Sequence, residues 1–133
     1  MVALEHPIGD ATSVAWSPDA NLMAVGEQDG SVLIWDGQTK SVVAEFDGQS
    51  GPVSSLAWSP DGSQLGIGTE SGTVLIWNMK AQGMVATFSG DSAPVMIISW
   101  SPDSALIAYM LESGLVLVGQ VLDQELYEIQ RPR

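Results

Sequence analysis

The sequence predicts an all-β protein built from three similar four-stranded antiparallel sheets, and two observations carry that prediction. The phrases AWSPD, AWSPD and SWSPD begin at residues 15, 57 and 99, so each copy begins 42 positions after the one before, an interval that we call one repeat. The apolar runs GSVLIWDG, GTVLIWNM and GLVLVGQV begin at residues 30, 72 and 114 and keep the same spacing. Two unrelated sequence motifs that recur at the same interval across three copies indicate a repeat protein.

Each repeat contains four short predicted strands, separated by residues that favour turns. In the first repeat the strands are predicted at Thr12–Trp16, Leu22–Glu27, Ser31–Trp35 and Ser41–Phe46. The Ser-Pro-Asp sequence after the first strand favours a β-turn, because the proline supplies the fixed φ that position i+1 of the turn requires. Asp-Gly and Ser-Gly pairs separate the second and third strands, as a tight antiparallel connection requires. The outer strand of the third repeat is predicted at about 125–129.

The third strand of each repeat is apolar on both sides. In SVLIWD, Val32 and Ile34 point to one face of the sheet, whereas Leu33 and Trp35 point to the other. A strand of this kind has to be covered on both faces. The sequence therefore predicts sheets that stack face to face, with the small residues of the first strands near a crowded axis.

These residues resemble the WD-repeat β-propeller family. The phrase WSPDG, followed by LIWN, at the constant repeat spacing carries the resemblance, which covers essentially the whole chain. It implies three propeller blades and a non-catalytic role as an interaction scaffold for other proteins. Propellers usually contain four to eight blades, so the ring is expected to close only with further copies or further chain.

The sequence departs from the WD-repeat pattern at residues that usually form a buried hydrogen-bonded tetrad with the tryptophan. Val25, Ile67 and Tyr109 stand where the family places a serine or threonine. The tetrad is therefore absent from all three copies, and we expect apolar packing to hold the blades together. The third repeat departs furthest, since Val118-Gly119 replaces Ile-Trp. Either that blade has diverged, or Gly119 opens a groove for a partner's side chain.

The third repeat carries a second, narrower resemblance. The segment SWSPDSALIAYMLESGLVLVGQV is similar to a tryptophan-less blade in the N-terminal propellers of some intraflagellar-transport A subunits. This resemblance covers one repeat. It implies that the chain is a fragment of a larger scaffold propeller of that kind.

Domain organisation follows the repeat spacing. The predicted units are an N-terminal segment at 1–11, blades at 12–46, 53–88 and 95–130, and a tail at 131–133. Each end of the stack exposes an apolar face of roughly 300 Å², as large as the biggest patch of a typical monomer. Either copies of this chain close a ring, which a 133-residue chain favours if it is complete, or the chain is part of a longer propeller. Residues 1–4 are surplus to three blades and are expected to form an outer strand of a preceding blade or a strap across a neighbouring copy.

Polar residues recur at one end of the predicted sheets, in or beside the turns between second and third strands and in the links between repeats. They are Glu27, Gln28, Asp29, Gln49, Glu70, Asp91 and Glu112. Three alternatives stay open: the carboxylates keep an apolar chain soluble, dock a basic peptide or protein, or bind calcium or another cation. The positions expected to be structural are Trp16, Trp35, Trp58, Trp77, Trp100 and Gly119.

Composition limits the classes of partner and the location. The chain has 16 acidic and 4 basic residues, no cysteine and a formal net charge of −12. Nucleic acid and anionic membranes require clusters of Lys and Arg, so neither is predicted as a partner. The N-terminus lacks a basic stretch followed by an apolar core, and the longest apolar run, 105–111, is too short to span a bilayer. An intracellular, cytoplasmic location is therefore predicted.

The residues near the predicted axis argue against catalysis. They are Ser13, Ala15, Ser55, Ala57, Ile97 and Ser99, and none is acidic, basic or accompanied by a base. His6 has no cysteine or second histidine as a co-ligand. The run GIGTESG continues into a strand rather than a helix, so Gly66 and Gly68 are expected to allow close packing rather than phosphate binding. The sequence predicts no enzyme, no cofactor and no metal; a propeller that binds a small ligand or substrate in its channel is the alternative.

Overall fold

The computed structural model describes residues 10–47 and 51–130, and within them the chain forms twelve strands in three four-stranded antiparallel sheets. Blade 1 comprises β1 (Ala11–Trp16), β2 (Leu22–Glu27), β3 (Val32–Asp36) and β4 (Ser41–Phe46). Blade 2 comprises β5 (Val53–Trp58), β6 (Gln64–Thr69), β7 (Thr73–Asn78) and β8 (Gly83–Ser89). Blade 3 comprises β9 (Val95–Trp100), β10 (Leu106–Leu111), β11 (Val116–Gln120) and β12 (Glu125–Gln130). The prediction of three four-stranded sheets is confirmed, and the strands predicted in the first repeat are shifted by at most one residue.

The turn after the first strand has the same hydrogen bonds in all three blades. In blade 2 the Asp61 carboxylate accepts hydrogen bonds from Ser63 N at 3.0 Å and Ser59 Oγ at 2.7 Å, while Ser59 Oγ accepts one from Gln64 N at 3.1 Å. The bonds from Ser63 N and the Ser59 hydroxyl lower the pKa of Asp61 to about 2. The same Ser–Asp pair recurs as Ser17 with Asp19 and as Ser101 with Asp103. This turn reverses the chain so that the first two strands of each blade can pair.

The hydrophobic core lies between the blades. Ala24, Val32 and Ile34 of blade 1 are fully buried in one cluster with Leu65 and Ile67 of blade 2. A second cluster joins the other face of blade 2 to blade 3 and contains Val74, Ile76, Phe88, Ile107, Tyr109 and Leu117. A single sheet can bury its side chains only against another layer, so each blade is stabilised by its neighbour. Val25 and Leu33, on the face of blade 1 that points away from blade 2, are also buried.

Because blade 2 packs against both of its neighbours, the three sheets form an arc of a propeller and not a closed ring. The outer face of blade 1 and the outer face of blade 3 are the sheet surfaces that point away from blade 2. The predicted N-terminal strand at residues 1–4, His6 and the tail at 131–133 lie outside the described residues.

Candidate interaction surfaces

Neighbouring blades are joined near the propeller axis by a repeated tryptophan hydrogen bond. Trp58 Nε1 donates to the Ala15 carbonyl oxygen at 2.9 Å, and Trp100 Nε1 donates to the Ala57 carbonyl oxygen at 2.9 Å. A buried indole N–H is stabilised by an acceptor, and in these two cases the bond fixes where the tryptophan lies on the preceding blade. The expectation that apolar packing alone holds the blades together is therefore wrong in part.

A hydroxyl group makes a second repeated bond across the same junctions. Thr12 Oγ1 donates to the Val53 carbonyl oxygen at 2.6 Å, and Ser54 Oγ donates to the Val95 carbonyl oxygen at 2.7 Å. In each pair the hydroxyl belongs to the first strand of one blade and the carbonyl to the first strand of the next. These bonds set the register between consecutive inner strands.

At each junction a glycine of one blade lies directly against a valine of the next blade. A Cβ at Gly26 would lie 2.7 Å from Val53 Cβ, and a Cβ at Gly68 would lie 2.8 Å from Val95 Cβ. Gly66 makes a similar close contact, because its Cβ would lie 2.8 Å from Ile107 Cδ1. Real Cβ atoms do not approach other atoms so closely, so these glycines permit the blades to pack. This confirms the interpretation of Gly66 and Gly68 as packing residues.

The missing tryptophan of the third repeat is compensated by a phenylalanine of blade 2. At the junction of blades 1 and 2, the rings of Phe46 and Trp77 stack with centroids 4.1 Å apart and planes 11° apart. At the next junction Gly119 replaces the tryptophan, and a Cβ there would lie 2.8 Å from Phe88 Cζ. Phe88 is buried and fills this space. Among the described residues, therefore, Gly119 opens no groove, and the geometry supports divergence of the third blade.

Two buried polar atoms show what the loss of the WD-repeat tetrad leaves behind. Trp77 Nε1 and Tyr109 Oη are buried and make no hydrogen bond with the described part of the chain. Burial raises the pKa of Tyr109 to about 12. Ile67, which stands at the Ser/Thr position of blade 2, offers no acceptor to Trp77, so the tetrad is absent there as predicted.

The five tryptophans are not equally buried. Trp58 and Trp77 are buried, whereas Trp35 and Trp100 are half-buried. Trp16 is 54% exposed, because it lies on the outer face of blade 1, where its ring meets Trp35 edge-on at 6.4 Å. Trp16 occupies the same position in its repeat as Trp58 and Trp100, and the preceding blade covers those two tryptophans.

The turns between second and third strands lie at one end of the arc, beside the links that lead into each blade. Each turn donates a backbone hydrogen bond to the link before its own blade. The donors and acceptors are Gln28 N with Asp10 O at 2.8 Å, Glu70 N with Pro52 O at 2.9 Å, and Glu112 N with Pro94 O at 2.8 Å. Gly72 packs against the next link, since a Cβ there would lie 2.8 Å from Ala93 O. The predicted polar residues of turns and links therefore share one end.

Five of the seven predicted polar residues are exposed at this end, which we call the acidic end: Gln28, Asp29, Glu70, Asp91 and Glu112. Glu27 is only 3% exposed, so its side chain lies below the surface that a partner would touch. Gln49 lies outside the described residues. A hydrogen bond from Ser31 N at 2.9 Å lowers the pKa of Asp29, so this carboxylate is charged at neutral pH.

The two lysines of the described chain lie away from the acidic end. Lys40 and Lys80 occupy the turns between third and fourth strands of blades 1 and 2, at the opposite end of the strands. Across residues 10–47 and 51–130, no three His, Cys, Asp or Glu side chains are grouped to hold a metal ion. The acidic end is thus a charged surface without the geometry of a cation site in the described chain.

The two outer faces of the arc expose apolar side chains close to the axis. Val14 is 62% exposed on blade 1, and Met96 and Ile97 are 50% and 56% exposed on blade 3. The outer face of blade 3 contains an apolar depression of about 230 Å³ lined by Ile97, Ser99, Ala108, Tyr109, Met110 and Val116. No helix formed by the described residues is long and apolar enough to cross a membrane.

A larger cavity of about 340 Å³ lies between blades 2 and 3 at the end opposite the acidic end. Its lining consists of Gln64, Asn78, Val85, Ser104, Ala105, Val121 and Leu122. None of these side chains titrates, so this lining contains no general acid or base.

Comparison with known proteins identifies the family. Residues 3–89 match the model of the IFT140 first β-propeller, which covers the first two repeats, whereas the narrower sequence resemblance rests on the third. No curated protein matches the chain significantly. Solved structures share its fold, among them the three that follow. The β-propeller domain of Cps50 (Swd1) from Myceliophteria thermophila has a TM-score of 0.85 and 23% identity, and the match covers 94% of this chain and 39% of that one.

U3-55K has a TM-score of 0.88 and 20% identity, and its match covers 98% of this chain and 42% of that one. The WD40 repeats of RRP9 have a TM-score of 0.85 and 20% identity, with 97% of this chain and 40% of that one covered. The chain therefore spans about two fifths of the length of these solved chains. The match over more than half of its residues shows that the chain belongs to the IFT140 first β-propeller family, among the WD-repeat propellers.

Proposed function

We propose that this chain is a non-catalytic protein-interaction module that self-associates to complete a propeller ring and presents its acidic end to a basic partner. The observation that carries the proposal is that both outer faces expose apolar side chains close to the axis. Trp16 occupies the donor position on one face, and the other face offers the apolar surface around Ile97. Exposed apolar patches of this kind mark interaction sites.

The family match favours a second candidate, in which the remaining blades belong to the same polypeptide. Matched solved chains are more than twice as long as this one, and the family is named for a first propeller of IFT140. In this candidate the chain is a fragment of an intraflagellar-transport-type scaffold. Both candidates complete the ring with WD-repeat blades, and they differ in whether isolated chains associate.

Absolute mass in solution separates the two candidates. Light scattering coupled to size exclusion is expected to give a discrete dimer or trimer, whose six or nine blades would close a ring. A monomer that aggregates and binds a dye for exposed apolar surface would instead favour blades from the same polypeptide. Folding should be checked by circular dichroism on the same samples.

The docking role rests on the charge distribution. Glu70, Asp91 and Glu112 are exposed at the acidic end, and Asp29 is held in its charged form by its turn. Lys40 and Lys80 are at the opposite end, so the positive charge of a partner meets no basic side chain from the described residues at the acidic end. A surface of one sign attracts oppositely charged partners and speeds their encounter.

A fluorescent Lys/Arg-rich peptide tests this role. We expect binding by the full chain at low salt and about tenfold weaker binding at 0.3 M salt, roughly where the Debye length falls below 6 Å. The double variant Glu70→Gln/Glu112→Gln should weaken binding by about two- to fivefold per carboxylate. The matched control, Asp36→Asn/Asp123→Asn, removes the same charge at the opposite end and keeps both turn acceptors. Equal losses in both double variants would contradict a docking role for the acidic end.

A further inference from the structure

The cavity of about 340 Å³ between blades 2 and 3 has a matching position between blades 1 and 2, and different residues occupy the two positions. One repeat before Gln64 and Val121 stand Leu22 and Met79. Both of these side chains are half-buried and pack against the core between blades 1 and 2. At the later junction a glutamine replaces the leucine, and the shorter valine replaces the methionine. These two changes leave space between blades 2 and 3.

The exposed part of the cavity lining has changed in the opposite sense. Leu122 follows β11 in the turn to β12 and is 92% exposed. The corresponding turns of blades 1 and 2 have the polar residues Gln38 and Lys80 at this position. Val85 of β8 and Ala105 are also exposed and line the same cavity. Because these apolar residues share one cavity, they form a patch rather than isolated surface residues, and such patches mark interaction sites.

Three uncharged polar side chains of the lining have hydrogen-bonding atoms to offer a ligand. Asn78 Oδ1 accepts a hydrogen bond from Ala81 N at 2.9 Å, which leaves the side-chain NH2 group to donate. Ser104 Oγ accepts one from Asp61 N at 3.3 Å, which leaves the hydroxyl proton to donate. The side-chain amide of Gln64 has both a donor and an acceptor. The cavity therefore combines donors, an acceptor and apolar walls.

This combination favours an uncharged ligand that has amide groups and one large apolar group. None of the described residues that line the cavity carries a charge, so a charged group of a ligand would lose hydration there without gaining an ionic partner. The donors and the acceptor complement the C=O and N–H groups of a peptide backbone. A volume of about 340 Å³ is at the lower end of the range of ligand pockets and accommodates one large side chain.

The exposed part of the lining favours a segment of a protein over a small molecule. Most of the apolar surface of Leu122 lies outside the cavity, since this side chain is 92% exposed. A small molecule inside the cavity would leave that surface in water. A peptide that inserts one side chain continues in both directions across the opening and can also cover Leu122 and Val85. Burial of this additional apolar surface strengthens binding.

We propose that this cavity docks an uncharged, extended segment of a partner protein, which inserts one large apolar side chain between blades 2 and 3. The backbone of the segment forms hydrogen bonds with Gln64, Asn78 and Ser104. Val85 and Leu122 contact the segment on the two sides of the inserted side chain. The site consists of residues of blades 2 and 3 alone, so it does not depend on how the ring is closed.

The salt dependence of binding distinguishes this site from the acidic end. A basic peptide at the acidic end is attracted by carboxylates, so added salt weakens its binding. The lining of the cavity consists of uncharged residues. The affinity for a neutral segment should therefore change by less than about twofold between low salt and about 0.3 M salt. The two binding activities can thus be measured separately on the same protein.

The test selects short random peptides displayed on phage for binding to the full chain, with counter-selection on the double variant Gln64→Leu/Val121→Met. This variant fills the cavity with the residues of the earlier junction, where Leu22 and Met79 show that the fold accommodates the pair. Peptides that bind elsewhere bind both proteins and are removed. Enriched peptides should contain one large apolar residue among uncharged ones. A synthetic, fluorescent copy of an enriched peptide should bind the double variant about tenfold more weakly or worse.

A matched pair of single variants tests the exposed part of the lining. Val85→Ser should raise the dissociation constant of the enriched peptide by about threefold or more, because an apolar contact is lost. Val43→Ser makes the same change one repeat earlier, on blade 1, and should leave the constant unchanged. Val43 and Val85 are 47% and 37% exposed, so the two changes should affect folding similarly. Circular dichroism of every variant checks that the blades are folded.

Each outcome decides the proposal. Enrichment of uncharged peptides with one large apolar residue, together with weaker binding by the filled variant and by Val85→Ser, supports it. A selection that yields no peptide preferring the parent, or that yields charged peptides, would overturn it. Equal losses in Val85→Ser and Val43→Ser would also overturn it. If N-acetyl-leucinamide alone bound as tightly as the enriched peptide, the cavity would be a small-molecule site and the proposal would be wrong.

Discussion

The two junctions between blades are built alike near the axis and differently at the rim. Near the axis both have a tryptophan N–H bonded to a carbonyl at 2.9 Å, a hydroxyl bonded to a carbonyl, and a valine fitted against a glycine. At the rim, Phe46 stacks on Trp77 in one junction, whereas Phe88 fills the space above Gly119 in the other. The contacts near the axis are directional or sterically tight, whereas the contacts at the rim are apolar and interchangeable.

The difference shows which contacts determine the geometry of the arc. A hydrogen bond or a very close approach to backbone tolerates little change, so it is repeated at each junction. Apolar contacts depend on filling volume, and a phenylalanine can take the place of a tryptophan when the whole space is repacked. Blade position is therefore set near the axis, and the rim supplies additional burial.

The largest effect is expected from removing an inner contact. Trp58→Ala should lower the free energy of unfolding by about 3–5 kcal/mol, because it deletes a buried aromatic ring and its hydrogen bond. Trp16→Ala is the matched control, and because Trp16 is 54% exposed it should cost much less. Chemical denaturation at one protein concentration measures both. Equal stability of Trp58→Ala and the parent would contradict the importance of the inner contact.

The second prediction tests whether the rim is interchangeable. Gly119→Trp should cost about 1–3 kcal/mol, because the new side chain overlaps with Phe88. Phe88→Ala alone should also destabilise, by leaving a cavity. In the double variant Phe88→Ala/Gly119→Trp the indole can use the vacated space, so the sum of the single costs should exceed the double cost by about 0.5–3 kcal/mol.

Strict additivity in this cycle would mean that the ring of Phe88 does not occupy the tryptophan position. A Gly119→Trp variant as stable as the parent would show that Phe88 can move into a stack like that of Phe46 on Trp77. The near-ultraviolet circular dichroism of the aromatic side chains distinguishes these results.

A smaller and equal effect is expected from the hydroxyl bonds of the two junctions. Thr12→Val and Ser54→Ala each remove one hydrogen bond to a first-strand carbonyl, at a cost of about 0.5–1.5 kcal/mol. Denaturation curves of the two variants should shift by similar amounts. A loss confined to one of them would show that the junctions differ near the axis as well as at the rim.

The smallest effect at neutral pH is expected for Tyr109→Phe, at a position where blade 2 has Ile67. Burial raises the pKa of Tyr109 to about 12 from 10.0, so the folded chain keeps its proton where the unfolded chain loses it. The resulting stability is present below pH 10 and is lost as the pH rises towards 12. Tyr109→Phe should flatten the decline of thermal stability in this window. Superimposable profiles of variant and parent would indicate that the hydroxyl is not buried.

Much of the fold follows from local patterns along the chain. The Ser-Pro-Asp turns, the paired Asp-Gly and Ser-Gly turns and the apolar third strands are each decided within a few residues, and the predicted strands match the structure within one residue. The recurrence of the same polar positions in successive repeats also placed the turns and links at one end. In both cases the geometry is set by hydrogen bonds within one blade and the link that precedes it.

The contacts between blades could not be predicted in this way. Glu27 has the same sequence setting as its exposed neighbour Gln28, yet it is 3% exposed. The replacement of a tryptophan by Phe88 could have been suspected because Phe88 lies one repeat after Phe46, but only if the fourth strand of one blade was known to pack on the third strand of the next. The bonds from Trp58 and Trp100 end on backbone carbonyls, which every residue possesses and no sequence distinguishes.

The repeat length, the strands, the turns and the need for further blades could all be read from the amino-acid order, because they depend on periodicity and on the apolarity of both sheet faces. Which glycine receives which side chain, and which tryptophan finds an acceptor, became visible only in the packed arrangement of the blades. Those contacts join residues of neighbouring repeats, on surfaces that exist only after two sheets have formed and stacked.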